Sequence, residues 1–145
     1  ASLAAIRRTA RFGTGWQAGL DSPAEVAPVV AAIKQAAIEA GREMDPEHFS
    51  AGFFFRFGPP DDPVGEARRA AYRKMFPKRN LDQTVVVGDA AEMVQRVREY
   101  EAAGIAKFIL RPIGDGDDDL YDQTQRLIET VIPEVHGRAV AKAAE

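Results

Sequence analysis

Apolar residues along the chain fall partly at helical spacing and partly in short unbroken runs. From Ser2 to Phe12, Leu3, Ile6 and Ala10 share one face while Arg7, Arg8 and Arg11 lie around the other. This predicts a helix ended by Gly13, a residue that tolerates left-handed geometry. Thr14 to Leu20, with Trp16 and Leu20, is a candidate strand. Ser22-Pro23-Ala24-Glu25 has the form of a capping box with proline at the first helical position. Val26, Val29, Val30, Ile33 and Ala37 follow at helical spacing up to Gly41, and Pro28 is expected to kink the first turns.

Phe49 to Phe57 is an aromatic strand bounded by Pro46 and by Gly58-Pro59-Pro60. An irregular stretch runs from Gly58 to Thr84 and holds one short basic helix near Val64 to Phe76. Stretches of this length in compact domains are usually functional. Thr84 to Gly88 is extended, and Asp89 with Glu92 repeats the capping-box pattern before a buried stripe of Val94, Val97 and Ala103. Ile105 to Leu110 is a short apolar strand ending at Arg111-Pro112. A last helix is expected from Asp119 to Ile132, with Leu120, Leu127, Ile128 and Val131 inward, and a helical Ala-rich tail follows Pro133. Strands alternating with helices in this way mean parallel βαβ units, so the fold class is α/β in a single domain over 1–145.

Composition narrows the function classes. The 145 residues are 46% hydrophobic and 28% charged, as in an ordinary globular protein. With 19 basic and 22 acidic side chains the net charge is −3, which gives no general affinity for nucleic acid or an acidic membrane. The chain has no cysteine, which excludes disulfides, thiolate nucleophiles and cysteine-based metal sites. No apolar run approaches the ~20 residues of a membrane span. With no signal-peptide pattern after Ala1, a cytoplasmic location is expected.

Few motifs point to chemistry. Gly13-Thr14-Gly15-Trp16-Gln17-Ala18 matches G-x-G-x-x-A, but a helix precedes it and no helix opens directly after it, so the dinucleotide reading fails. Arg68, Arg69, Arg73, Lys74, Lys78 and Arg79, with Tyr72 and Phe76, form a basic patch. It is open to three readings: nucleic-acid contact, recognition of an anionic small ligand, or a solvated helix, which the acidic whole favours. Asp115, Asp117, Asp118 and Asp119 lack the closing Glu of a calcium loop and suit a helix N-terminus instead. His48 and His136 have no carboxylate at metal-ligand spacing. Ser2, Ser22 and Ser50 form no nucleophile elbow. Taken alone, these residues identify no reaction and no metal.

The order of the segments is more informative. Ala5-Ile-Arg-Arg-Thr-Ala-Arg-Phe-Gly-Thr-Gly-Trp16, the Ser22-Pro helix, Val87-Gly-Asp-Ala-Ala-Glu-Met-Val94, Ala103-Gly-Ile-Ala-Lys-Phe-Ile-Leu-Arg-Pro112 and Gln123-x-x-Arg-Leu-Ile-x-x-Val-Ile-Pro133 together resemble the luciferase-like monooxygenase superfamily. The nearest likeness is to its deazaflavin-dependent branch. Thr14 stands where that family usually has Asp, and Gly88-Asp89-Ala90 replaces Gly-Thr-Pro.

The resemblance implies the C-terminal part of a TIM (β/α)8 barrel, which as a whole needs about 250 residues. On it, 15–20, 49–57 and 106–110 are the last three strands, and 58–84 is an active-site loop insertion. It further implies an oxidoreductase or monooxygenase moving a hydride or oxygen with coenzyme F-420 (a deazaflavin) or FMN on a small organic substrate. This chain would then be a fragment, inactive alone. Ser2, Trp16 and Arg111 are the implied cofactor-binding residues, and no catalytic residue is assigned. Ser2 would cap a phosphate-binding helix. Arg111 would contact phosphate or substrate at the barrel mouth, or else pair with the Asp115–Asp119 loop. Trp16 would line the same face, or else pack in the core. The acidic tail of the deazaflavin coenzyme would give the basic helix a partner. The alternative is a non-enzymatic half barrel that associates with itself or a protein partner, driven by open edges and by Phe53, Phe54, Phe55 and Phe57. The expected partners are a small-molecule substrate and a second copy or the missing N-terminal half, with no nucleic acid and no membrane.

Overall fold

The computed structural model describes residues 1–77 and 82–136. In chain order the elements are α1 (Leu3–Phe12), β1 (Trp16–Gln17), α2 (Pro23–Glu39), a single 3-10 turn (Pro46–His48), β2 (Phe49–Ala51), β3 (Phe54–Phe57), α3 (Pro63–Met75), β4 (Val85–Gly88), α4 (Ala90–Ala102), β5 (Lys107–Phe108), β6 (Arg111–Pro112) and α5 (Asp117–Thr130). They form two units. The first comprises Ala1–Gly52 and Arg98–Ile109, the second Phe53–Val97 and the chain from Leu110 onward. Lys78, Arg79 and the tail beyond His136 lie outside the described residues.

In the first unit, β1, β2 and β5 make a parallel sheet in the order β1-β2-β5. α1 packs on α2 through Ile6 and Ala10, and Val26, Val30, Ile33 and Ala37 are the buried stripe of α2. The Ser22 capping box forms as read: the Ser22 hydroxyl accepts from the Glu25 N–H, and the Ser22 N–H donates to the Glu25 carboxylate at 2.8 Å. Pro28 sits within one continuous helix from Pro23 to Glu39. Tyr100, fully buried, donates from its hydroxyl to the Asp21 carbonyl at 2.8 Å and meets Phe108 edge to face.

Two expectations for α1 are corrected. Leu3 is 72% exposed, because it lies in the first turn, ahead of the residues that meet α2. Gly13 is extended (φ −78°, ψ 156°), not left-handed. Its lack of a side chain matters for space, since a Cβ there would come 2.8 Å from the Thr9 carbonyl oxygen. The end of α1 is instead held by Arg42, whose guanidinium donates to the carbonyls of Ala10 (2.6 Å) and Gly13 (2.9 Å). A cation on terminal carbonyls also complements the helix dipole.

In the second unit, the parallel sheet runs β4-β3-β6. Val85, Val87 and Ile113 form a buried cluster, against which Phe54, Val64 and Tyr72 pack. α3 can lie this close to β4 because Gly65 faces Val87: a Cβ would stand 2.7 Å from a Val87 methyl. Asp89 and Glu92 form the second capping box, each side chain accepting from the other's N–H at 3.1 and 2.9 Å.

The aromatic segment from Phe49 to Phe57 is two strands, β2 and β3, separated at Gly52 and Phe53. Arg111 and Pro112, expected beyond the last strand, are themselves strand β6, paired with Phe54 and Phe55. β6 lies at the edge of its sheet, where a proline costs no ladder bond on the open side. α5 begins at Asp117 rather than Asp119. Leu127 and Val131 are buried as expected, but Ile128 is 51% exposed, because it shares with Tyr121 the face turned to solvent. Phe53, Phe55 and Phe57 are buried, and Phe54 is half-buried against Tyr72 with ring centroids 4.8 Å apart.

Candidate functional site

In a (β/α)8 barrel the chemistry sits beyond the C-terminal ends of the strands. In the second unit those ends carry a charged cluster. Arg56, on β3, donates to Asp62 at 2.5 Å, to Asp119 at 2.7 Å and to the Ile113 carbonyl at 3.0 Å. Its side chain is 11% exposed and that of Asp62 is 12% exposed. Asp62 also caps α3, accepting from the N–H groups of Val64 and Gly65, both at 3.0 Å. Asp119 accepts from the Asp115 N–H at 2.8 Å and from Gln123. One guanidinium therefore ties the end of β3, the start of α3 and the first turn of α5.

The charges in this cluster are held by their partners. Burial opposes the charge on Arg56, but the hydrogen bonds to Asp62 and Asp119 prevail and raise its pKa. Burial likewise works against a charged Asp62, and the bonds from Arg56 and the Gly65 N–H overcome it, so its pKa is lowered. For Asp119 the Asp115 N–H is the largest cause of a lowered pKa, outweighing burial, with Arg56 and Gln123 adding to it.

Beside the cluster, Gln123 is buried and makes both bonds that a neighbouring strand would make to Phe57. Its carbonyl accepts the Phe57 N–H at 2.6 Å and its amide donates to the Phe57 carbonyl at 3.3 Å. Gln123→Leu strands both backbone groups and is expected to cost about 2–3 kcal/mol. A urea midpoint unchanged from wild type would show that solvent replaces these bonds.

The three residues implied as cofactor contacts fall in both units. Ser2 is the N-cap of α1, its hydroxyl accepting from the Ala5 N–H at 3.2 Å. Trp16 opens β1 and is half-buried, lining a depression of about 360 Å³ with Thr14, Gly15, Gln17, His48, Ser50 and Lys107. Arg111, in the second unit, lies over the Phe54 ring at 5.4 Å and makes no ion pair among the described residues. The acidic loop takes Arg56 as its partner instead. Arg56 was missed in the sequence because it reads as one polar position in an aromatic strand. The available signal was a charge at the end of that strand, followed by Gly-Pro-Pro and a helix-capping Asp.

The remaining motifs are accounted for locally. On α3, Arg69 pairs with Glu66, Arg73 pairs with Asp82 at 2.9 Å, and Arg68 lies over the Tyr72 ring, while Lys74 is exposed. Asp117, Asp118 and Asp119 occupy the first turn of α5, where negative charge is favourable. His136 is exposed. Among the described residues no group of three or more acidic or histidine side chains is placed to hold a metal ion, and no helix is long and apolar enough to cross a membrane.

Comparison with known proteins bears on the fold. No family model and no curated protein matches the sequence. Among solved structures, the chain is similar to an F420-dependent secondary alcohol dehydrogenase in complex with an F420-acetone adduct. The identity is 16% and the TM-score 0.66, over 88% of this chain and 46% of that one. It is also similar to monooxygenase RslO1 from Streptomyces bottropensis, at 12% identity and a TM-score of 0.57, over 90% of this chain and 45% of that one. The chain thus spans about half the length of the solved structures that it matches. Its fold class is α/β, that of part of a (β/α)8 barrel, with parallel strands alternating with helices.

Proposed function

We propose that the chain is the C-terminal part of a luciferase-like oxidoreductase that uses coenzyme F-420 or FMN on a small organic substrate. The observation that carries this reading is the match of 88% of the chain to the fold of an F420-dependent dehydrogenase. When bound, the cofactor ring supplies the hydride or oxygen chemistry. The described residues suit such a group in kind. Ser2 stands at a helix N-terminus, the natural place for a phosphate. Trp16 offers a half-buried ring, and Arg111 a guanidinium with no carboxylate partner among the described residues. Their task would be to bind and orient the cofactor. No residue here is assigned a proton or a bond-making step.

Fluorescence titration of the chain with coenzyme F-420, and separately with FMN, tests the reading. Saturable binding of one of them is expected. Arg111→Gln is expected to weaken it about tenfold, the loss of one charge-assisted hydrogen bond. Replacing Arg68, Arg69, Arg73 and Lys74 by Gln is expected to flatten the salt dependence for the deazaflavin, whose tail is acidic. Arg68 and Lys74 should dominate that effect, since Arg69 and Arg73 already have carboxylate partners. Signals that never saturate with either coenzyme would remove the reading. Self-association as a half barrel draws support from the open edges of β1, β5, β4 and β6, but less from the aromatics, which the chain largely buries itself.

A further inference from the structure

Helix α2 ends in a Schellman turn. The Arg42 N–H donates to the Ala37 carbonyl and the Gly41 N–H to the Ile38 carbonyl, both at 2.9 Å, with Gly41 at φ 67°. The turn folds residues 42–46 back beside the last turn of α2 before the chain enters β2 at Phe49. Between them lies a depression of about 480 Å³, within the roughly 300–1,000 Å³ of small-molecule sites. Ala37 and Met44, both buried, form its floor, and the exposed Ile38 and Pro46 its rim. Lys34 also lines it, and the Lys34 ammonium lies 5.1 Å from the Phe49 ring, on the face of β2 that α2 covers. In a barrel that face is the outer one, and the end where β2 begins is opposite the end that carries the chemistry. α1 packs on α2, and the turn at Gly104 lies against it too: a Cβ there would stand 3.0 Å from Val30 and 3.7 Å from the Lys34 Nζ. The helix beside the depression thus has its neighbours within the first unit.

Two cations and one carboxylate line the depression. Among the described residues the Lys34 ammonium has no hydrogen bond and no ion pair, only its place over the Phe49 ring. A ring face attracts an ammonium but leaves its N–H donors open to an anion. Arg42 directs two of its N–H groups to the carbonyls of Ala10 and Gly13, and its positive charge remains at the rim. Glu43, the carboxylate, is exposed and pairs with neither cation, so its charge stays in water. A half-buried ammonium beside a buried apolar floor matches a ligand with one carboxylate and a short hydrocarbon tail.

We propose that this depression binds a small aliphatic monocarboxylate, with the carboxylate on Lys34 and the tail against Ala37, Ile38 and Met44. Ser2, Trp16 and Arg111 do not line it, so the site stands independently of the cofactor reading.

The test is a two-dimensional amide NMR titration of the full chain at constant ionic strength with hexanoate, and with 1-hexanol, which has the same tail and no charge. Hexanoate is expected to give saturable shifts centred on residues 34–46, and hexanol to bind there about tenfold more weakly. Lys34→Met keeps the stem and removes the charge. It should weaken hexanoate about tenfold and leave hexanol unchanged. Ile38→Ser should weaken both about threefold, through lost apolar contact. Arg7→Gln on α1 changes the net charge by the same amount as Lys34→Met and should leave both affinities unchanged. Lys34 is half-buried and Ile38 exposed, so the fold should tolerate each change, and the amide spectra of the free variants report whether it does. Shifts that never saturate or that centre elsewhere, equal affinities for the two probes, or a hexanoate affinity unchanged in Lys34→Met would each overturn the proposal.

Discussion

Replacing Arg56 by methionine is expected to lower the stability of the chain by about 3 kcal/mol, measured by urea unfolding at neutral pH. The side chain makes two charged bonds and one to a carbonyl, and bonds to charged groups contribute about 1.5–3 kcal/mol each. The loss stays below their sum because Asp62 and Asp119 each keep backbone N–H donors, and methionine retains much of the buried stem. A loss under about 1 kcal/mol would mean that the cluster behaves as an exposed pair.

The same cluster sets a pH dependence. Asp62 and Asp119 have lower pKa values in the folded chain than when unfolded. Their contribution is therefore fully present above about pH 4, the unfolded carboxylate value, and is lost as the pH falls through the lower folded values. Arg56 stays charged throughout that range and adds no slope. In Arg56→Met the two carboxylates lose one cause of their lowered pKa, so the fall in stability below pH 4 should be shallower than in the wild type. Parallel curves for the two proteins from pH 5 to pH 2 would contradict the assignment.

The second large effect is expected at Gly52. A Cβ built there would overlap the Ile109 carbonyl oxygen, a backbone atom fixed by its own ladder, since the Ile109 N–H donates to the Ala51 carbonyl at 2.9 Å. No side-chain rotation relieves such a clash, so β2 and β5 must separate. Gly52→Ala should cost about 3 kcal/mol or more, the upper end for overpacking. Gly19→Ala is the matched control: its nearest contact is a carboxylate oxygen of Asp21 at 3.8 Å, an ordinary distance. Equal thermal midpoints for the two variants would show that the strands move apart at little cost.

Much of the local structure was legible in the sequence. Ser22 with Glu25, and Asp89 with Glu92, are partners three residues apart, so pattern alone revealed them. The buried stripe of α2 and the helix within 58–84 follow from periodicity in the same way. The candidate site was much less legible. Arg56 meets Asp119 across 63 positions, and Gln123 meets Phe57 across 66. Neither pair has a spacing that periodicity can register.

The strands show the same division. A run of aromatics signals extended chain, but not that it breaks at Gly52 and Phe53, because the break depends on which strand pairs alongside each half. Likewise, Arg111-Pro112 reads as the end of an element, and only pairing with Phe54 and Phe55 makes it a strand.

From its sequence alone, this chain determines the alternation of helical and extended segments, the capping boxes that start α2 and α4, and the α/β class that follows. Capping and periodicity act over a few residues, so they are written locally. The tertiary structure decided the Arg56 cluster, the docking of Gln123 on Phe57, and the pairing that makes Arg111-Pro112 a strand. Each arises when residues distant in sequence are brought into register, and only then are their charges paired or left without a partner.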